Sequence, residues 1–431
     1  MSDTTATSNA PPQTKQSFLA AMEVDTRMIG MICALLVIWF GFHILSGGTF
    51  LTPRNLWNLS VQTSSIAVMS TGMVLVIVTR HIDLSVGSVL GFIGMIMAVT
   101  QVDFLPQVLG LDHGATWIIT LLVGAVLGAA IGALHGAVIA YLAVPAFIVT
   151  LGGLLVWRGA AWWVTSGQTK APMDSTFRLI GGGIEGAIGD TASWVLAVVA
   201  CVAICWATVH ARRQRKRFQF PLKPMWAEYA TAGIASFVVL GVIWVMNSYY
   251  LPKRVAAKLA EAKGLEVPEG GLEIARGLPI PVLIAIAVGI IMTFIATRTR
   301  FGRYVFAIGG NPEAALLSGI NTKKVTVMIF SLMGILCAIG ASISTARLNA
   351  ATNSQGMLDE LYVIAAAVIG GTSLGGGAGT VIGAMIGALV MQSLQSGMVL
   401  LGLDAPLQNI VVGIVLVAAV FIDTVYRKRS A

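Results

Sequence analysis

Two polar segments interrupt an otherwise apolar chain, and they hold the residue types that could do chemistry. The first is Thr79-Arg80-His81-Ile82-Asp83-Leu84-Ser85-Val86-Gly87-Ser88. Its carboxylate sits close to hydrophobic sequence on both sides. An ionisable group there is costly unless it faces a partner or a cavity. Two readings stand: Asp83 caps the following helix by accepting the N–H of Ser85 or Val86, or the break is a polar gate in a transmembrane path. The second segment runs from Phe301 to Ile320. From Asn311 it predicts a short helix over 312–318, about two turns and about 10 Å long. Asn311 is a good N-cap, Pro312 fits the first helical position, Glu313 suits the positive end of the helix dipole, and Gly319 fits the stop. So short a helix is marginal alone in water and needs packing or a partner. It reads as a docking knob, with an ordinary connecting loop as the alternative.

Other chemistry is missing. No Gly-Lys pair occurs, so there is no phosphate loop of the GxxxxGK[ST] type. HExxH and CxxC are also absent. His43, His81, His113, His135 and His210 are scattered, and His135 reads as packed or pore-facing. Cys33, Cys201, Cys205 and Cys337 lie inside apolar runs and read as small packing residues. No catalytic residue, metal site or cofactor bound by this chain is expected, and a membrane enzyme is disfavoured.

The elements that must position these segments are membrane helices. Of 431 residues, 56% are hydrophobic and 11% charged, and mean hydropathy is +0.85. Soluble domains run at about 45–50% apolar and about 25% charged, so the class left is a polytopic membrane protein. We expect an all-α transmembrane helix bundle of ten to twelve spans. The candidate spans are 28–46, 61–79, 84–102, 116–140, 145–164, 192–209, 230–249, 280–297, 325–346, 361–374, 378–401 and 407–425. The tenth is short, and the third begins with a polar stretch; either could be re-entrant. Residues 1–26 lack the apolar core of a secretory signal and read as a disordered cytoplasmic tail. One membrane domain is expected over 27–426, with a short cytoplasmic tail at 427–431.

Orientation follows from the basic residues. With the N-terminus inside, seventeen of the 27 Lys and Arg fall in inner segments, nine in outer ones, and Arg158 within a span. Both termini are therefore expected in the cytoplasm, anchored by the run Arg212–Arg217. The +8 charge sits between spans, where it sets orientation and implies no nucleic-acid partner. The long outer loop at 250–279 predicts an amphipathic helix over Lys253–Lys263, either lying solvated at the interface or meeting an extracellular partner. Gly124, Gly128, Gly132 and Gly136 recur every four residues, as do Gly375, Gly379, Gly383 and Gly387. Each set predicts a helix face that lets another backbone come close. Ile77–Gly91 can be laid on Ile369–Gly383, as an internal repeat or by chance. Trp157, Trp162 and Trp163 cluster with Arg158, as part of an interfacial aromatic belt or, at Trp157 and Arg158, beside a sugar path.

The motifs together resemble a known family. Ile82-Asp83-Leu84-Ser85-Val86-Gly87-Ser88, Val144-Pro145-Ala146-Phe147-Ile148-Val149-Thr150-Leu151, Arg158-Gly159, Thr297–Arg303, Gly309–Ile320 and Val368-Ile369-Gly370-Gly371-Thr372-Ser373-Leu374 occur in the order found in permeases of bacterial ribose/xylose-type sugar ABC importers. The extra span pair at 192–249 makes the chain most similar to the xylose type. The resemblance implies a non-enzymatic transport subunit of the bacterial inner membrane that carries a monosaccharide, D-xylose or a related pentose. It implies a homodimer, a periplasmic sugar-binding protein, and a partner ATPase that supplies ATP and Mg chemistry. It places ATPase coupling within 298–324, on Gly310, Asn311, Glu313, Ala314, Ala315 and Gly319, and puts Asp83, Ser85, Gly87 and Ser88 near the translocation path. Many members carry Gly-Gly where this chain has Arg80-His81, so a backbone that needs glycine is not assumed at that turn. Selectivity is expected mainly in the binding protein, since the chain shows no dense polar site. The alternative is an ion-coupled secondary sugar transporter, which would need carboxylates in mid-span.

Overall fold

The computed structural model describes residues 26–111, 113–262 and 273–430. The expected tail over 1–26 lies outside these except for Thr26, as does the loop from Lys263 to Leu272. Fifteen helices matter here: α1 Thr26–Leu45, α2 Pro53–Val78, α3 Val86–Val99, α4 Thr116–Tyr141, α5 Ala146–Thr165, α6 Asp190–Arg217, α7 Met225–Asn247, α8 Lys253–Ala262, α9 Ile280–Arg298, α10 Arg300–Gly310, α11 Pro312–Leu317, α12 Thr322–Leu348, α13 Asp359–Ile369, α14 Val381–Leu400 and α15 Ala405–Ser430. Among the described residues, ten helices are long and apolar enough to span a membrane. One of them continues α3 through a π-helical turn at Thr100–Phe104 to Leu109. The short tenth span is the 11-residue α13. The amphipathic helix forms as α8, and residues 427–430 continue α15 as helix.

α2 is the central pillar, with its apolar window 94% buried. It packs against α12, α14, α9 and α13. With no water in such an interior, its hydroxyls must be satisfied by protein. Thr63 Oγ1 donates to the Leu59 carbonyl at 2.7 Å, Ser64 Oγ to Ser60 at 2.8 Å and Thr71 Oγ1 to Val68 at 2.7 Å. α6 and α7 form a peripheral pair, each window 11% buried.

The first glycine stripe packs as expected. A Cβ at Gly128 would strike the Gly334 carbonyl, one at Gly132 the Phe330 carbonyl, and one at Gly136 the Val327 backbone, all on α12. The second stripe is split: Gly383 and Gly387 lie on α14 against Gly370 and Ala366, whereas Gly375 and Gly379 precede the helix. Thr380 caps α14 by accepting from Gly383 N, and that cap sets the boundary.

The turns that end α2 and α13 correspond with Ile77 opposite Val368, one residue off the sequence pairing of Ile77 with Ile369. α2 and α13 both end in the same hydrogen-bonded turn. Arg80 N donates to the Ile77 carbonyl and His81 N to Val76; Gly371 N donates to Val368 and Thr372 N to Ala367. Arg80 and Gly371 both have positive φ, +64° and +86°. Gly377 N, in the linker after the second turn, donates to the Val78 carbonyl at 2.9 Å. The next helix starts at Val86 in one case and Val381 in the other, so the linkers differ in length.

The basic segments gather at one end of the bundle. Arg80 meets the end of α10, and Lys323 Nζ lies 5.7 Å over the Tyr141 ring. α7 finishes beside the start of α2, where Ile243 and Met246 pack with Trp57 and Val61. Arg212–Arg217, at the far end of α6, therefore fall at the Arg80 end too, and Arg212 pairs with Glu228.

The α4–α12 contact yields a direct test. Gly132→Leu should destabilise the detergent-purified protein by about 1–3 kcal/mol or more, since the obstacle is backbone. Gly152→Leu on α5, which meets nothing within 4 Å, should leave the thermal midpoint unchanged.

Candidate functional site

The break between α2 and α3 turns back into the bundle. Ser85 lies beside His135 and Gly153, about 10 Å in from the nearer ends of α4 and α5 at 1.5 Å per residue. α3 therefore starts at membrane depth. Irregular backbone survives there only where protein satisfies it. Asp83, 4% exposed, accepts from Ser85 N at 2.8 Å and from Ser85 Oγ at 2.6 Å. The bond to Ser85 N is the one the sequence suggested, but Ser85 is itself the N-cap of α3, so Asp83 closes a turn just before the helix and leaves the helix's own first N–H groups uncapped by a side chain. Ser88 Oγ closes on the Ser85 carbonyl at 2.8 Å, and Thr150 Oγ1 donates to the Ile82 carbonyl at 3.2 Å. Ser85 Oγ is 3.4 Å from His135 Nδ1, while Trp157 Nε1 donates to His135 Nε2 at 3.0 Å. Asp83, Ser85, His135 and Trp157 thus form one buried chain. A void of about 10 Å³ beside it has room for one water.

A second irregular segment approaches from the opposite end. After α12 the chain returns inward, and Arg158, half-buried midway along α5, clamps it. Its Nη1 donates to the Asn353 and Gln355 carbonyls at 3.3 and 2.8 Å, and its Nη2 to Gly356 at 3.1 Å. The two segments meet at Gly87, where a Cβ would collide with Glu360 Oε2 and the Gly356 carbonyl. Only glycine fits this contact. Trp157 and Arg158 are adjacent in sequence but serve different segments. Trp162 and Trp163 are exposed on the bundle surface.

Arg80 settles the geometry of a turn that the sequence left open. The turn does take the left-handed backbone that favours glycine, with arginine in place. Its guanidinium compensates: Nε donates to the Gly309 carbonyl at 3.0 Å and Nη2 to Gly310 at 2.9 Å. The ring of the neighbouring His81 lies 6.0 Å from that of Phe330. Arg80 therefore ties the helix break to the segment 300–319. That segment begins with α10, a helix sequence reading missed. Thr299 is its cap, accepting from Gly302 N at 3.1 Å.

α11 matches the sequence reading. Asn311 Oδ1 accepts from Ala314 N at 3.0 Å. Pro312 opens the helix, and Gly319, at φ +81°, closes it with the same turn that ends α2. Ala315 is buried, whereas Asn311, Glu313 and Ala314 are exposed. Leu316 and Leu317 are 62% and 89% exposed, an apolar face that sequence reading did not single out. Among the described residues, no group of three or more His, Cys, Asp or Glu is placed to hold a metal ion.

The opposite end holds what the sequence hid. Asn58 and Gln62 of α2 and Gln392 and Gln395 of α14 line one cavity of about 350 Å³ with Arg347 and Asp359. Each polar residue alone reads as a tolerated exception in a span. Only the packing of α2 on α14, some 330 positions apart, makes them a cluster.

Two variants separate the roles of Arg80. Arg80→Ala loses both hydrogen bonds and keeps the unfavourable φ; Arg80→Gly loses the bonds and relieves the φ. Arg80→Gly should be more stable than Arg80→Ala by about 1 kcal/mol in thermal unfolding. Equal stability would mean the turn carries no strain.

Comparison with known proteins agrees with this architecture. Residues 55–420 match the family described as branched-chain amino acid transport system / permease component. The chain is 36% identical to the xylose transport system permease protein XylH of Haemophilus influenzae, over 94% of this chain and 98% of that protein. It is 36% identical to XylH of Escherichia coli K12, over 97% and 96%. The ribose import permease protein RbsC of Escherichia coli K12 is 32% identical, over 91% and 92%. No solved structure matches. The chain belongs to the transport-system permease family that includes these sugar permeases.

Proposed function

We propose that this chain is the membrane-spanning subunit of a sugar ABC importer and moves a monosaccharide, D-xylose or a related pentose, across the bacterial inner membrane. In this reading it hydrolyses nothing itself. A partner ATPase docks on α11, a periplasmic binding protein delivers sugar at the amide-lined end, and a second copy completes the transporter. Both termini lie in the cytoplasm, which puts the basic end there.

One observation carries the reading: α11 is short, capped at both ends, and exposes Glu313, Leu316 and Leu317 at the end where basic residues gather. Six residues of helix do not hold themselves in water. Packing through Ala315 fixes one face and leaves the other for a partner. The link from Gly309 and Gly310 through Arg80 to the turn before Asp83 gives docking a mechanical route to the helix break. A partner that binds the two conformations unequally would shift their populations through that route.

The ion-coupled alternative gains one observation. Asp83 lies at the start of α3, and that start is buried beside His135, so an ionisable pair does sit at membrane depth. The sequence and the xylose and ribose permease relatives favour the importer.

The test is coupling. In proteoliposomes with the ATPase and binding protein, Gly319→Leu and Leu317→Asp should insert normally yet lower sugar uptake per ATP hydrolysed by about tenfold. Glu313→Gln should lower it less. Unchanged coupling in all three would remove α11 as the docking element.

A further inference from the structure

We infer that the amide-lined cavity at the end of the bundle opposite α11 is a monosaccharide site within the permease itself. This rests on the sugar-importer reading and extends it. The cavity, about 350 Å³, falls within the roughly 300–1,000 Å³ typical of small-molecule sites.

Its walls suit a neutral polyol. Gln392, 7% exposed, donates from Nε2 to Gln62 Oε1 at 3.2 Å and to Gln395 Oε1 at 2.9 Å. That ladder uses one side of each amide. The Nε2 groups of Gln62 and Gln395, the Oε1 of Gln392 and the whole amide of Asn58 make no hydrogen bond within the chain among the described residues. Both donors and acceptors are therefore left free among residues that line one space, as hydroxyls require, since each hydroxyl both donates and accepts. Arg347 and Asp359 line the same cavity.

The placement ties the site to the helix break. Asp359 lines the cavity, and the adjacent Glu360 packs on Gly87. A sugar held by the amides would thus share its cavity with Asp359, the sequence neighbour of the residue that packs on Gly87. Arg347 and Asp359 could instead hold the charged groups of a zwitterionic amino acid, the cargo in the family's description, so the test includes one.

The experiment uses the full chain in proteoliposomes with its ATPase and binding protein and measures ATP-dependent uptake of labelled D-xylose and D-ribose. Absence of any sugar uptake by the wild type, with L-leucine taken up instead, overturns the importer reading and the site together. With wild-type sugar uptake established, Gln392→Leu and Asn58→Leu should each lower it about tenfold, the loss of one good hydrogen bond. Gln392→Asn should shift the xylose-to-ribose ratio, which a merely structural residue would not do. Denaturation midpoints check folding. If Gln392→Leu fails to fold, Asn58→Ser carries the same test, because Asn58 has no internal hydrogen bond to lose. Wild-type rates and an unchanged sugar ratio in these variants overturn the site and leave the importer reading standing.

Discussion

A peptide group cannot be left unpaired inside a helix bundle surrounded by hydrocarbon, and this constraint explains the polar residues of the core. Two segments leave helical geometry at membrane depth, 79–85 and 353–358, and each is held by named side chains. Asp83 and Thr150 satisfy the first. Arg158 takes three carbonyls of the second. Arg80 does the same for the end of α10, with two carbonyls. Both arginines act on backbone, so a guanidinium fork replaces the pairing that a regular helix would have supplied.

The same bonds join parts that the proposed function requires to move together. From the exposed face of α11, contact passes to Gly309 and Gly310, to Arg80, to the turn before Asp83, and across Gly87 to Glu360 and the amide cavity. The route crosses the bundle without leaving protein. Its tightest points are glycines, so a small shift on one side must be taken up by the other. This physical continuity supports a transport subunit driven from one end and loaded at the other.

Much of this was legible in the sequence, for local reasons. Apolar runs gave the spans, and Asn311, Pro312 and Gly319 bounded α11 because caps and stops are chosen by backbone geometry near each residue. The bond from Ser85 N to Asp83 was readable on the same grounds. Three features were hidden because they are not local. Arg80 takes a backbone shape usually left to glycine because carbonyls from residues 309 and 310 reward it. The start of α3 at Asp83 looked like an ordinary helix end until α4 and α5 closed around it. Asn58, Gln62, Gln392 and Gln395 were isolated polar positions until α2 met α14. The glycine stripe at 375–387 was overread, since Thr380 starts the helix after half of it.

The claim that joins these features is that the energy for transport comes from a partner at the α11 end and not from an ion crossing through Asp83 and His135. Its most direct test is sugar uptake into sealed vesicles that contain the chain, its ATPase and its binding protein. ATP supply and ion gradients are varied independently. The account predicts uptake that requires ATP and is indifferent to collapse of the proton and sodium gradients. Uptake that continues without ATP and stops when the gradients are collapsed would contradict it.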